Sequence, residues 1–275
     1  MKFLTVCAIV KDEAPYLPEW IEFHLLQGVE HFYIYNHMST DSTVAALMPY
    51  VRHKIVTLTE WQVPLTANTW PQILAYEHCI NTFRHATKWC AFIDADEFLH
   101  SEFFKLPEIL ALLKEDVSCV LAHWMLYGSN GHTVKEDGLV IERFTKRSLQ
   151  PNPHVKSIVR MNDALRFAGN PHRINVRFRT VRDTDKTVES MEPVLNEDDV
   201  TQIPHSAFKI AHYHVKSASE YRARCNKGRV DVPVNRDFET SFKLHDVNEI
   251  SDISFRKYVP IIKHLIASRY KSCLL

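Results

Sequence analysis

The sequence predicts an α/β fold, a mostly parallel sheet with helices on both faces. Two observations carry that expectation. Short apolar runs alternate with segments of helical period at a spacing of roughly 25 to 30 residues, as in strand–helix–strand crossovers. Three polar clusters, Lys11-Asp12-Glu13, Asn36 to Asp41 and Asp94 to Glu97, each follow one of those runs. Parallel sheets bind ligands at the carboxyl ends of their strands, so the clusters converge on one rim.

The elements follow in order. Phe3–Val10 reads as a buried first strand, and Leu17, Trp20, Ile21, His24 and Leu25 then repeat at helical spacing. His31–Tyr35 is a second strand, and residues 39–42 offer N-cap side chains before a helix over Val44–Val51. Lys54–Thr59 is a third strand. Pro71 suits the first position of a helix whose Ile73, Tyr76, Ile80 and Phe83 share a face. Trp89–Ile93 is the fourth strand, Pro107–Lys114 a short helix and Val117–Tyr127 a fifth strand. The second half is less regular. Residues 143–182 hold ten Arg/Lys against the single acid Asp163, and residues 183–199 reverse this with seven Asp/Glu and one Lys.

Composition bounds the function. The chain has 275 residues, 45% hydrophobic and 24% charged, with a formal net charge of zero, so the whole molecule is not an obvious nucleic-acid or membrane binder. Its six cysteines form no CxxC pair, which argues against a zinc ribbon or a disulfide framework and for a reducing compartment. The opening MKFLTVCAIVKDE has no small-residue cleavage site, and no run approaches the roughly 18 to 20 apolar residues of a membrane span. A cytoplasmic location is expected.

Residues 88–100, KWCAFIDADEFLH, deliver an apolar run into three carboxylates, Asp94, Asp96 and Glu97. In a strand, residues i and i+2 share a face, so Asp94 and Asp96 are expected to face one way. Two carboxylates about 5 Å apart repel by roughly 1 to 3 kcal/mol, so a cation between them or a proton on one is required. There is no GxGxxG, Walker A, GxSxG or HExxH pattern, and six glycines leave little for a backbone phosphate cradle. Asp-x-Asp at a strand end offers hard oxygen ligands for Mg²⁺ or Mn²⁺. Helix capping or pairing with arginines is the alternative.

Several segments together resemble glycosyltransferase family 92 and related family 2-like enzymes. They are VKDEAPYLPEWIEFHLLQGVEHFYIYNHMSTDST, Gln72, KWCAFIDADEFL, WMLYGSNGH, HVKSIVR and AHYHVKS, over roughly residues 4–230. The resemblance implies a GT-A-type Rossmann-like sheet over residues 1–245, followed by a C-terminal helical tail over 246–275. It implies a nucleotide-sugar on the rim, with Mn²⁺ (or Mg²⁺) on the diphosphate held by Asp94, Asp96 and His212. His214 competes with His212, because an H-x-H on a strand points both rings one way. Lys156 and Lys216 would compensate phosphate charge, and Lys11, Glu13, Asn36, Asp41, Gln72 and Asp94 would line the nucleotide-sugar, although Asp41 also suits a helix cap. Two positions depart from the family pattern. Asp12 stands where asparagine is common, and uncharged Asn36 follows Tyr35 where an acid is common, which loosens the choice of nucleotide.

The reaction implied is transfer of a sugar from a UDP-sugar to a hydroxyl of a glycan, surface polysaccharide or lipid-linked acceptor, with inversion and therefore one general base. His132, Asp137 and the acids at 189–199 are candidates for that base, and His132 is the catalytic residue carried forward. The competing readings are a metal-dependent nucleotidyltransferase, which would need a glycine-rich loop after the first strand, and a nucleic-acid binder using residues 143–182. No nucleic-acid partner is expected. The tail SFRKYVPIIKHLIASRYKSCLL reads as a basic amphipathic helix that either lies on the inner face of an anionic membrane or docks on its own sheet.

Overall fold

The computed structural model describes residues 1–182, 207–228 and 237–272. The first half alternates as expected: β1 (Lys2–Val10), α1 (Leu17–Leu26), β2 (His31–Asn36), α2 (Thr43–Arg52), β3 (Val56–Glu60), α3 (Pro71–Phe83) and β4 (Thr87–Phe92). Then come β5 (Glu97–His100), α4 (Leu106–Leu112), β6 (Val117–Leu126), α5 (Val140–Arg143), β7 (Lys146–Arg147) and β8 (Asn152–Arg160). Short strands β9 (Ala164–Phe167), β10 (Ile174–Val176) and β11 (Arg179–Val181) precede β12 (Lys209–His212), α6 (Ala218–Asn226), α7 (Phe238–His245), β13 (Ile250–Ser251) and α8 (Val259–Lys271).

The main sheet has the order β3-β2-β1-β4-β8-β6-β12-β5, with β11 added beside the first half of β6. Strands β1 to β4 are mutually parallel, as right-handed crossovers through helices require. Strand β8 runs antiparallel between β4 and β6, so its first residues reach the rim where the other strands end. Strand β12 returns parallel to β6, and β5 closes the edge antiparallel to β12. Central strands of such a sheet bury both faces, and β1 shows it. Leu4, Val6, Ala8 and Val10 enter the core under α1, α2, α4 and α8, while Cys7 and Ile9 enter a second core with α3, β9 and β10.

One expectation is corrected. Strand β4 ends at Phe92, and the chain then turns, with the Glu97 amide donating to the Asp94 carbonyl at 3.1 Å. Strand alternation therefore does not govern Asp94 and Asp96, and each carboxylate has its own surroundings. Within the basic stretch 143–182, Arg143, Arg147, Lys156, Arg160 and Arg179 each pair with a carboxylate of this chain.

The tail folds back on the domain instead of presenting a membrane face. Ile262 is fully buried, Ile266 packs against the main core, and Lys263 reaches Glu142 at 2.7 Å. Arg269 Nε donates to the fully buried Glu22 carboxylate at 2.6 Å. Losing one partner of a buried pair leaves the other charge uncompensated. Arg269→Ala is therefore expected to lower stability by about 3 kcal/mol in urea titration. An unchanged midpoint would reduce the pair to a surface contact. Among the described residues, no helix is long and apolar enough to cross a membrane.

Candidate active site

The loops after β1 and β2 are stitched together by polar side chains. Asp12 has a left-handed backbone (φ +51), which asparagine and aspartate adopt more readily than most residues. Its Oδ1 accepts from the Thr40 and Asp41 amides at 2.7 and 3.2 Å. Burial raises its pKa, but those bonds and Lys227 outweigh that and hold the carboxyl below its ordinary value. Asp41 caps α2 through the Thr43 amide at 2.9 Å, and its other oxygen accepts from the Ala14 amide at 3.1 Å. The two loops form one rigid lip.

Beneath that lip lies a cavity of about 330 Å³ whose walls include Asp12, Glu13, Tyr16, Lys216, Arg224 and Lys227. Lys227 pairs with Glu13 and donates to the Lys11 carbonyl at 2.8 Å. Lys216 is only 6% exposed, with its ammonium 4.4 Å from the centre of the Tyr16 ring. Among the described residues it makes no hydrogen bond or ion pair. Burial, then Arg224 and Lys227, draw its pKa down against the pull of Glu13 and Asp96. Such an ammonium invites an anion. Behind Tyr16, the Glu220 carboxylate accepts the tyrosine hydroxyl at 2.9 Å and both terminal nitrogens of Arg143 at 2.9 Å. Ser217 caps α6 and donates to the same carboxylate, completing a fixed wall.

The carboxylates at 94–97 find their cations far along the chain. Asp94 accepts from Lys156 Nζ at 2.8 Å through one oxygen, and from Gln72 at 2.8 Å and Tyr76 at 3.3 Å through the other. Asp96 pairs with Arg224 and lies 3.4 Å from His212 Nε2. Burial acts to raise its pKa, but Arg224 and His212 hold it well below the ordinary carboxyl range. Glu97 is fully buried 3.7 Å from Lys156. Burial, with the charges of Asp94 and Asp96, pushes its pKa well above the ordinary value, against the pull of Lys156. The cations that crowded carboxylates require are thus Lys156 for Asp94 and Arg224 for Asp96.

Asp96, His212 and His214 each offer a ligand atom, all within 4.8 Å of one another. Burial lowers the pKa values of both imidazoles, and among the described residues His212 Nδ1 is buried without a partner. A carboxylate with two neutral imidazoles fits Mn²⁺ better than a purely hard Mg²⁺ site. Arg224 shares the Asp96 oxygen that a cation would use. Asp94 stands outside this group, its oxygens taken by Lys156, Gln72 and Tyr76.

Comparison with known proteins bears on this geometry. The model of glycosyltransferase family 92 matches residues 2–167. The chain belongs to glycosyltransferase family 92. It is 31% identical over 180 residues to a family 92 protein of Oryza sativa subsp. japonica, covering 63% of this chain and 28% of that one. It is 30% identical over 174 residues to one of Arabidopsis thaliana, covering 57% of this chain and 28% of the other. The chain thus spans 28% of the length of each of these curated relatives. Among solved structures, S. aureus TarS 1–349 aligns over 58% of this chain and 47% of its own, at 16% identity and a TM-score of 0.38. Glucosyl-3-phosphoglycerate synthase of Mycobacterium tuberculosis, in a complex with Mn²⁺, UDP and glucosyl-3-phosphoglycerate, aligns over 58% and 57%, at 12% identity and a TM-score of 0.34. The mixed sheet of this family 92 chain, with helices on both faces, bears out the α/β class expected from its sequence.

The structure gathers Glu13, Asp41, Lys216, Asp96 and His212 around or just behind the cavity, while Gln72 and Lys156 hold Asp94. Lys11 contributes its carbonyl to Lys227. Asn36 is buried beside the rim and donates to Glu60 at 2.8 Å. His132 is not brought to the cavity wall. Its Nδ1 pairs with Glu136 at 3.0 Å on the loop before α5. The acids at 189–199 lie outside the described residues. Tyr16, Glu220, Arg224 and Lys227 were missed by reasoning from sequence. The capping box at Ser217 and Glu220 was legible as a helix start. It would have placed Arg224 and Lys227 one turn apart on a helix leaving the His212–Lys216 segment.

Proposed function

We propose that this family 92 chain transfers a glycosyl group from a nucleoside-diphosphate sugar, a UDP-sugar by preference, to a hydroxyl of a glycan or lipid-linked acceptor. The observation that carries the reading is Lys216. A buried, unpaired ammonium at the mouth of a cavity also lined by Arg224 and Lys227 suits a diphosphate. Lys11, Glu13 and Asn36 flank the loops where a nucleoside would lie, and Gln72 and Lys156 hold Asp94 beside the departing phosphate. Asp96, His212 and His214 would hold the divalent cation, Mn²⁺ or Mg²⁺, which when bound supplies charge neutralisation for the leaving diphosphate. Lys216 and Arg224 add fixed positive charge on the same side. Such preorganised charge counts most where negative charge grows during bond breaking.

Calorimetry with UDP tests this. The wild-type chain is expected to bind UDP with Mn²⁺ and to weaken with excess chelator. Lys216→Ala is expected to lose on the order of tenfold or more in affinity, consistent with one charge-assisted contact. Equal affinity in wild type and variant would remove Lys216 from the site, and equal affinity with chelator would remove the cation.

A further inference from the structure

Among the described residues, the rim carboxylates next to the cavity are already engaged. Glu13, Asp96 and Glu220 are ion-paired, Asp12 and Asp41 accept backbone amides, and Asp94 is held by Lys156, Gln72 and Tyr76. Because β8 runs antiparallel to its neighbours, its first residues lie on that rim. Lys156 and His154 are two residues apart on β8, about 7 Å along the strand. Lys156 holds Asp94, and His154 stands one step farther out.

The surroundings of His154 define its chemistry. Asn152 Oδ1 accepts both the His154 amide at 3.0 Å and His154 Nδ1 at 2.7 Å. An oxygen that accepts an amide N–H can only accept from the ring as well, so Nδ1 carries the proton. That leaves a lone pair on Nε2, which has no hydrogen-bond partner among the described residues. The ring is stacked on Trp124, with centroids 4.8 Å apart and planes at 9°. Trp124 is 9% exposed and meets the His212 ring at 4.2 Å, which ties His154 to the Asp96–His212 group.

We infer that His154 is the general base of the transfer, its Nε2 taking the proton of the acceptor hydroxyl. The assignment rests on the glycosyl-transfer reading above. The acceptor oxygen forms its bond to the anomeric carbon while the bond from that carbon to the phosphate oxygen breaks. The electron pair leaves with the nucleoside diphosphate, and the proton passes to Nε2, giving an imidazolium whose Nδ1–H stays on Asn152. Asn152 is a positioning residue that fixes the tautomer. Burial first, then His212, His245 and Lys156, keep the His154 pKa below the ordinary imidazole value, which leaves it unprotonated near neutrality. His172 also lies beside it, with ring centroids 5.8 Å apart. Burial and Lys156 push His172 down to about 3, too low to hold a proton near neutrality.

The test uses the full chain with UDP-glucose, UDP-galactose and UDP-N-acetylglucosamine as donors and water as acceptor, reading UDP release, beside calorimetry with UDP. His154→Gln keeps size and stacking but removes the base. It is expected to lower kcat by about 100-fold or more with UDP affinity within twofold of wild type. The wild-type rate should rise with pH through a value below the ordinary imidazole pKa, and His154→Gln should lose that limb. Asn152→Ala should lower kcat less and displace the limb. Nitrogen-15 spectra of the histidine rings should show His154 protonated on Nδ1. A rate within threefold of wild type in His154→Gln, or a ring protonated on Nε2, overturns the assignment alone. A wild-type chain that neither binds UDP nor consumes any of the three donors overturns the transfer reading and this assignment with it.

Discussion

Asp96→Asn is expected to cut turnover by on the order of 1000-fold and to abolish measurable Mn²⁺ binding. The substitution keeps the shape of the side chain but removes the one negative charge that Arg224, His212 and His214 share. Asparagine is a weak ligand for a divalent cation, and the two imidazoles alone make a poor site. Arg224 also loses its carboxylate partner and becomes free to seek phosphate oxygens. Mn²⁺ titration followed by electron paramagnetic resonance, with no nucleotide present, separates the two consequences. Retained Mn²⁺ affinity with lost turnover would move the metal away from Asp96. Retained turnover with lost Mn²⁺ affinity would make the arginine, rather than a metal, the charge that matters. Unchanged behaviour on both counts would remove Asp96 from the chemistry.

Lys156→Met should cost about 3 to 5 kcal/mol of stability, because two carboxylates lose the buried cation between them. Lys156 is 1% exposed and lies 2.8 Å from Asp94 and 3.7 Å from Glu97. The loss should depend on pH, and the sign follows from linkage. Without Lys156 the pull that opposes the upward shift of Glu97 is gone, so its folded-state pKa moves further up. A carboxyl raised in the folded state contributes stability below its unfolded value, about 4.3 for glutamate, and loses it as pH rises. The variant should therefore lie nearer to wild type at pH 5 than at pH 8. Adding Glu97→Gln removes one of the stranded acids and should recover part of the difference at pH 8. Equal destabilisation at both pH values would show that the lost packing of the lysine stem, not its charge, is responsible.

The local readings that held were those decided by neighbouring residues. The helices of the first half begin within one or two residues of their expected starts. Caps and apolar period act over single turns, and the strands of a doubly covered sheet are apolar on both faces. Strand β5 was missed because Glu97–His100 is short, and its first residue is a buried acid that only β12 and Lys156 make tolerable. The structure groups Asp96 with His212 and His214 and leaves Asp94 with Lys156, Gln72 and Tyr76 for a related reason. The chain turns at residue 94, so alternation along a strand no longer reports which way a side chain faces.

The sequence alone determined the α/β class and the family, since these depend on local periodicity and on ordered short motifs. Tertiary structure alone decided which charges meet. Asp94 finds Lys156 across 62 residues and Asp96 finds Arg224 across 128. Neither pairing follows from spacing. Both depend on β8 entering the sheet antiparallel between β4 and β6, and on α6 packing over the rim after β12. The same insertion turns the first residues of β8 toward the rim and brings His154 beside Trp124. Periodicity records which face of an element is buried. Only the strand order and direction, set by the lowest free energy of the whole sheet, determine which buried polar groups satisfy one another.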